Sequence, residues 1–116
     1  MEKRVELTLL MDFYGPLLTD HRREILNLYL NEDMSFQEIA DQLGISRQGV
    51  HDAVKAAAAQ LNRYEETLAL ADRYRQISRE VRACRELLAS VKADEASQPA
   101  LRGAMESLAR IDRIER

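Results

Sequence analysis

The chain has 116 residues, 46% apolar and 32% charged, with a net charge of -3. That length carries one core with an extension and is too short for two independent domains. The acidic balance excludes a protein that coats nucleic acid or an anionic membrane without discrimination, because such proteins carry a basic surplus.

Val5, Leu7, Leu9, Leu10, Phe13 and Tyr14 predict a first helix that ends at Gly15-Pro16, since proline cannot continue the helical ladder. Thr19 is an N-cap type and opens a second helix with Ile25, Leu26, Leu28, Tyr29 and Leu30 on a broad apolar stripe. Ser35-Phe36-Gln37-Glu38 has the form of a capping box and starts a third helix, with Phe36, Ile39, Ala40 and Leu43 inward. Gly44 stands where a left-handed residue is wanted, Ile45 plugs the angle, and Ser46 caps a fourth helix that buries Val50, Ala53 and Val54.

From Leu61 the pattern becomes one long helix without an internal breaker, ending near Lys92. Tyr74, Ile77, Val81, Cys84, Leu88 and Val91 alternate by three and four, the apolar repeat of a coiled coil, and Tyr64, Leu68 and Ala71 extend it upstream through a stammer. The stripe fits either a homodimer seam or packing on the chain's own last helix. Lys92 to Pro99 is polar and aperiodic, a candidate linker, and a final helix follows with Leu101, Ala104 or Met105, Leu108 and Ile111 on one side. The expected organisation is all-α: a helix-turn-helix domain over 1–60, then 61–116 as a long amphipathic helix, a linker near 92–99 and a short C-terminal helix that together form a dimerisation element.

The chemistry sits in the third and fourth helices. A helix-turn-helix needs a small residue where the helices touch, a glycine in the turn and an apolar anchor beyond it, and Ala40, Gly44 and Val50 stand at those places. The outward face of the fourth helix then carries Ser46, Arg47, Gln48, His51, Asp52 and Lys55, the end that reaches base edges in a major groove. Arg47 suits guanine and Gln48 adenine, while Gly49 allows close approach. The alternative is a solvated helix face, because residues 35–60 hold two basic and three acidic side chains. Arg75, Arg79 and Arg82 share one face of the long helix, within the net basic segment 61–92, and suit phosphate contacts or pairing with glutamates across a seam.

No catalytic set emerges: His21 and His51 lie on different helices and neither has metal-ligand spacing. Gly44 to Gly49 lacks the strand and lysine of a phosphate loop, so no cofactor is expected. Cys84 is the sole cysteine, which excludes an intrachain disulfide and a Cys-rich zinc site. The apolar run near the N-terminus is short and cut by Asp12, and nowhere do 18 apolar residues run together, so no membrane association and a cytoplasmic location are expected.

Four segments together resemble the YlxM family, small helix-turn-helix regulators associated with the signal recognition particle: D-F-Y-G-P-L-L-T (12–19), L-Y-L-N-E-D-M-S-F-Q-E-I-A (28–40), I-S-R-Q-G-V-H-D-A-V-K (45–55) and Y-E-E-T-L (64–68). The same helices are similar to the promoter-binding region 4 of bacterial sigma factors. The resemblance implies an all-helical, cytoplasmic bacterial regulator, linked to the signal recognition particle by gene neighbourhood with its GTPases. Its partners would be duplex DNA or, as an adaptor, protein or RNA components of that particle. The family tends to carry a basic pair where this chain reads Lys55-Ala56-Ala57, a departure that removes a phosphate contact.

Overall fold

The computed structural model describes residues 2–115, with side chains described for 3–113. Among the described residues there are six α-helices, one 3-10 turn and no strand. The helices are α1 (Glu2–Tyr14), α2 (Asp20–Leu30), α3 (Phe36–Leu43), α4 (Arg47–Leu68), α5 (Leu70–Ala89) and α6 (Gln98–Glu115), with the 3-10 turn at Gly15–Leu17. They fall into two compact units, Met1–Ala71 and Asp72–Arg116.

The predicted boundaries of the first four helices are written in caps. Pro16 stands in the first turn of the 3-10 segment that follows α1. Thr19 Oγ1 accepts from the Arg22 amide at 3.3 Å and starts α2. The capping box of α3 is complete: Ser35 Oγ accepts from the Glu38 amide at 3.1 Å, and the Ser35 amide donates to Glu38 Oε1 at 2.9 Å. Two of the four amides that a helix start leaves without intrahelical partners are satisfied or covered this way. Gly44 adopts φ 69, so the αL turn between α3 and α4 is made by the residue type that bears no Cβ penalty there.

In the first unit α4 is the central post, and α1, α2 and α3 all pack on it. Its inner face is Val50, Val54, Ala57 and Leu61, at spacings of four, three and four. These meet Leu10 and Tyr14 from α1, Leu18 after the turn, Ile25 and Leu26 from α2, Ile39 and Ala40 from α3, and Ala71 at the start of α5. Burying a Leu, Ile or Val side chain contributes about 1.5–3 kcal/mol each, so this apolar cluster dominates the unit's stability. Leu61, Tyr64 and Ala71, which periodicity groups with the C-terminal region, contribute to this cluster.

One expectation is corrected. The helix expected to run unbroken from Leu61 to Lys92 is two helices, because Ala69 takes φ 52 and ends α4 in a left-handed cap. The sequence holds no breaker, since alanine is the strongest helix former. What sustains the break is a partner far away in sequence. The Leu70 amide donates to Tyr14 Oη at 3.0 Å and the Ala71 amide to Glu65 Oε1 at 3.0 Å, so the first amides of α5 are satisfied by side chains.

In the second unit α5 ends at Ala89 and α6 begins at Gln98, with Pro99 in its first turn. The Ser97 amide donates to Asp94 Oδ1 at 2.8 Å just before α6. Leu101, Met105, Leu108 and Ala109 of α6 are half-buried, whereas Ala104 is exposed.

Candidate nucleic-acid interface

The turn from α3 into α4 sets the candidate reading face. Ala40 and Val50 are buried, and the amides of Gly44 and Ile45 both donate to the Ala40 carbonyl, at 2.9 and 3.1 Å. With that junction closed, the first turns of α4 can vary little in direction. Ser46 caps α4 by accepting from the Gly49 amide at 2.9 Å. A Cβ on Gly49 would lie 3.1 Å from Ser46 Oγ, so the bare glycine leaves room for the cap itself.

Arg47, Gln48, His51, Asp52 and Lys55 are all exposed. Gln48, His51, Asp52 and Lys55 stand at i, i+3, i+4 and i+7, which puts them on one stripe opposite Val50, Val54 and Ala57. Three of them form a small network. Gln48 Nε2 donates to Asp52 Oδ1 at 2.9 Å, and His51 Nδ1 lies 3.3 Å from the same oxygen. The hydrogen bonds from His51 and then Gln48 hold the Asp52 carboxyl below its ordinary value, with a weaker contribution from the charge of Lys55. Arg47 has no hydrogen bond or ion pair among the described residues.

The reading face has a support that sequence reasoning missed. The His51 ring meets the ring of Phe36 on α3 edge-on, with centroids 5.9 Å apart at 79°. Phe36 packs on Tyr29 at 5.1 Å, and the Arg4 guanidinium stacks over Tyr29 at 4.5 Å. Arg4 also donates to the Tyr29 carbonyl and pairs with Asp33 at 2.9 Å. Asp33 has φ 54, a conformation that aspartate tolerates better than most residues. Neighbour spacing gives no hint of this chain of contacts, because its members lie on α1, α2, α3 and α4.

The second set of predicted residues lies on α5. Arg75 is half-buried, and Arg79 and Arg82 are exposed. Arg82 and Arg85 line a groove of about 470 Å³ between α5 and α6, in company with Glu86 and Asp112. Tyr74 and Val81 from the apolar stripe line the same groove, opposite Met105. Within the stripe Ile77 and Leu88 are half-buried, Cys84 is exposed, and Val91 lies past the end of α5. His21 is exposed on α2, and no three His, Cys, Asp or Glu side chains among the described residues cluster so as to hold a metal ion. Among the described residues, no helix is long and apolar enough to cross a membrane.

A four-helix core with capped α2, α3 and α4 and a short αL turn, presenting the exposed start of its longest helix, defines a helix-turn-helix protein. The comparisons agree. The family model described as "Putative helix-turn-helix protein, YlxM / p13 like" (UPF0122) matches residues 1–100, and the chain belongs to that family. A UPF0122 protein of Acetivibrio thermocellus is 54% identical over 76 residues, 66% of this chain and 65% of that protein. One from Caldanaerobacter subterraneus subsp. tengcongensis is 45% identical over 82 residues, 71% and 70% of the two chains. A third, from Desulforamulus reducens, is 38% identical over 98 residues, 84% of each. The match to the first of these thus spans a little under two thirds of that relative's length.

Proposed function

We propose that the chain is a DNA-binding regulator in which Arg47, Gln48, His51, Asp52 and Lys55 enter a major groove, with Ser46 holding the helix start. The observation that carries this reading is the exposed stripe on a helix whose opposite face is locked into the core, with Arg47 exposed and uncommitted at the first position of that helix. Base edges are read by short polar contacts from such a helix end, and backbone contacts fix its register. The acidic surroundings limit phosphate contacts, so the reader acts as a homodimer. Two half-site contacts then combine through effective concentration, with Tyr74, Ile77, Val81, Cys84, Leu88 and Val91 in the dimer region. Arg79 and Arg82, with Arg75, supply phosphate contacts in this arrangement. In this reading the regulation takes place in the cytoplasm and serves the signal recognition particle pathway, a reading supported by the family resemblance.

A second reading is favoured by one observation: the only net basic segment, 61–92, lies outside the helix-turn-helix. Here the chain is an adaptor for protein or RNA components of the signal recognition particle, and α5 carries the contact. Fluorescence anisotropy separates the two. Labelled duplex from the chain's own operon and signal recognition particle RNA are titrated at two salt concentrations with nonspecific competitor. Competitor-resistant binding to one duplex supports the reader; selective RNA binding, or binding to neither, supports the adaptor and overturns the reader.

A further inference from the structure

Asp52 is an unusual group for a helix that meets a polyanion, since a carboxylate there repels phosphates and lowers affinity for every sequence alike. Its contacts give it a different task. An ionised carboxylate only accepts hydrogen bonds, so the Gln48 atom 2.9 Å from Asp52 Oδ1 is the amide nitrogen, and the His51 atom 3.3 Å away carries a proton. Gln48 Oε1 is then the amide atom with no partner among the described residues. In the neutral imidazole the proton on Nδ1 leaves Nε2 as an acceptor, and the edge of Phe36 at 5.9 Å restrains the ring.

An untethered glutamine can turn its amide over and offer either a donor or an acceptor to a base. The tether to Asp52 removes that choice. We infer that Asp52 is a positioning residue that fixes Gln48 as an acceptor toward the groove, so that the base met by Gln48 must be a major-groove donor: adenine through N6 or cytosine through N4. The second amide hydrogen lies beside that oxygen, so it adds a contact only where an acceptor stands next to the donor that the oxygen meets, as adenine N7 stands next to N6. Guanine O6 and thymine O4 are acceptors and would face the glutamine oxygen without a hydrogen between them. This inference rests on the DNA-reading function proposed above.

The test is selection from a randomised duplex pool with the full-length protein and three exposed-site variants, Gln48→Ala, Asp52→Ala and Asp52→Asn. The base pair read by Gln48 is the one whose preference Gln48→Ala flattens. At that pair the unmodified protein is expected to prefer adenine or cytosine about tenfold over guanine or thymine, the size of one good base contact. Asp52→Asn loses the charge but keeps an oxygen that accepts from the Gln48 amide, so the preference persists. Asp52→Ala loses both, so the preference falls to about threefold or less, although both variants bind all sequences more tightly than the unmodified protein. An unaltered preference in Asp52→Ala, an equal loss in Asp52→Asn, or a preference for guanine or thymine overturns the inference while leaving DNA reading intact. Enrichment of no sequence by any of the four proteins overturns DNA reading itself, and this inference with it.

Discussion

Tyr14 and Glu65 stand 51 positions apart in sequence and meet through a hydrogen bond of 2.7 Å, from the phenol of one to the carboxylate of the other. Both residues lie in segments that carry the family resemblance, D-F-Y-G-P-L-L-T and Y-E-E-T-L. Their shared work is structural. Tyr14 Oη and Glu65 Oε1 receive the first two amides of α5 and stabilise the left-handed break at Ala69. The bond also joins α1 to the far end of α4, the helix whose near end forms the candidate reading face.

Tyr14→Phe keeps the ring in the core but removes the hydroxyl, so the Leu70 amide loses its acceptor while Glu65 Oε1 keeps the Ala71 amide. The expected loss is about 1 kcal/mol, the usual net worth of a hydrogen bond, since the Leu70 amide is only part-buried, and it is read by urea unfolding. Burial raises the Tyr14 phenol above its ordinary value, the hydrogen bond to Glu65 adds to the rise, and the Leu70 amide opposes it. A group whose folded pKa is raised contributes stability below its unfolded pKa and loses it as pH rises through the folded one. Alkaline titration should therefore destabilise the unmodified protein more steeply than Tyr14→Phe; parallel curves would remove this bond from the explanation.

Two residues with positive φ predict opposite signs. Gly44→Ala places a Cβ at φ 69 and is expected to cost about 1–2 kcal/mol, although nothing lies within 4 Å of that Cβ. Ala69→Gly removes the same kind of strain at φ 52 and should add about 0.5–1 kcal/mol. Thermal unfolding of the pair checks this, and equal signs would contradict the left-handed break at Ala69.

The Glu38 carboxylate accepts from Ser35, and the backbone amide, followed by the side chain, holds its pKa below the ordinary glutamate value. The stability it contributes is present above the unfolded pKa and is lost as pH falls through the lowered folded one. Glu38→Gln keeps an acceptor for the Ser35 amide and should flatten this acid-side component. A two-dimensional NMR titration of the Ser35 and Glu38 amides would report the folded pKa directly, and a midpoint at or above the ordinary value would contradict the capping box.

Local chemistry was legible in the sequence wherever cause and effect lie within a turn. The cap at Ser35, the αL glycine at 44, the Thr19 and Ser46 caps and the 40, 44, 50 pattern all depend on neighbours three to six residues away. Ala69 was not legible, because its break is sustained by Tyr14, and residue type alone favours helix there. For the same reason the stripe at 48, 51, 52 and 55 could be placed by period, whereas its internal bonds could not. Asp52 reads equally as solvated charge until Gln48 and His51 are seen to share its oxygen. The Arg4, Tyr29, Phe36 and His51 contacts cross four helices and leave no periodic trace.

The most direct measurement compares the full-length protein with Arg47→Ala on a selected duplex by fluorescence anisotropy, at two salt concentrations and with excess competitor DNA. Arg47 is exposed and uncommitted within the described residues, so its removal should leave the fold unchanged in circular dichroism. The expected result is competitor-resistant binding with a shallow salt slope, weakened about tenfold or more by Arg47→Ala, as for loss of one bidentate base contact in each half-site. Absence of duplex binding at low salt, or binding that Arg47→Ala leaves untouched, would contradict a reading role for this helix.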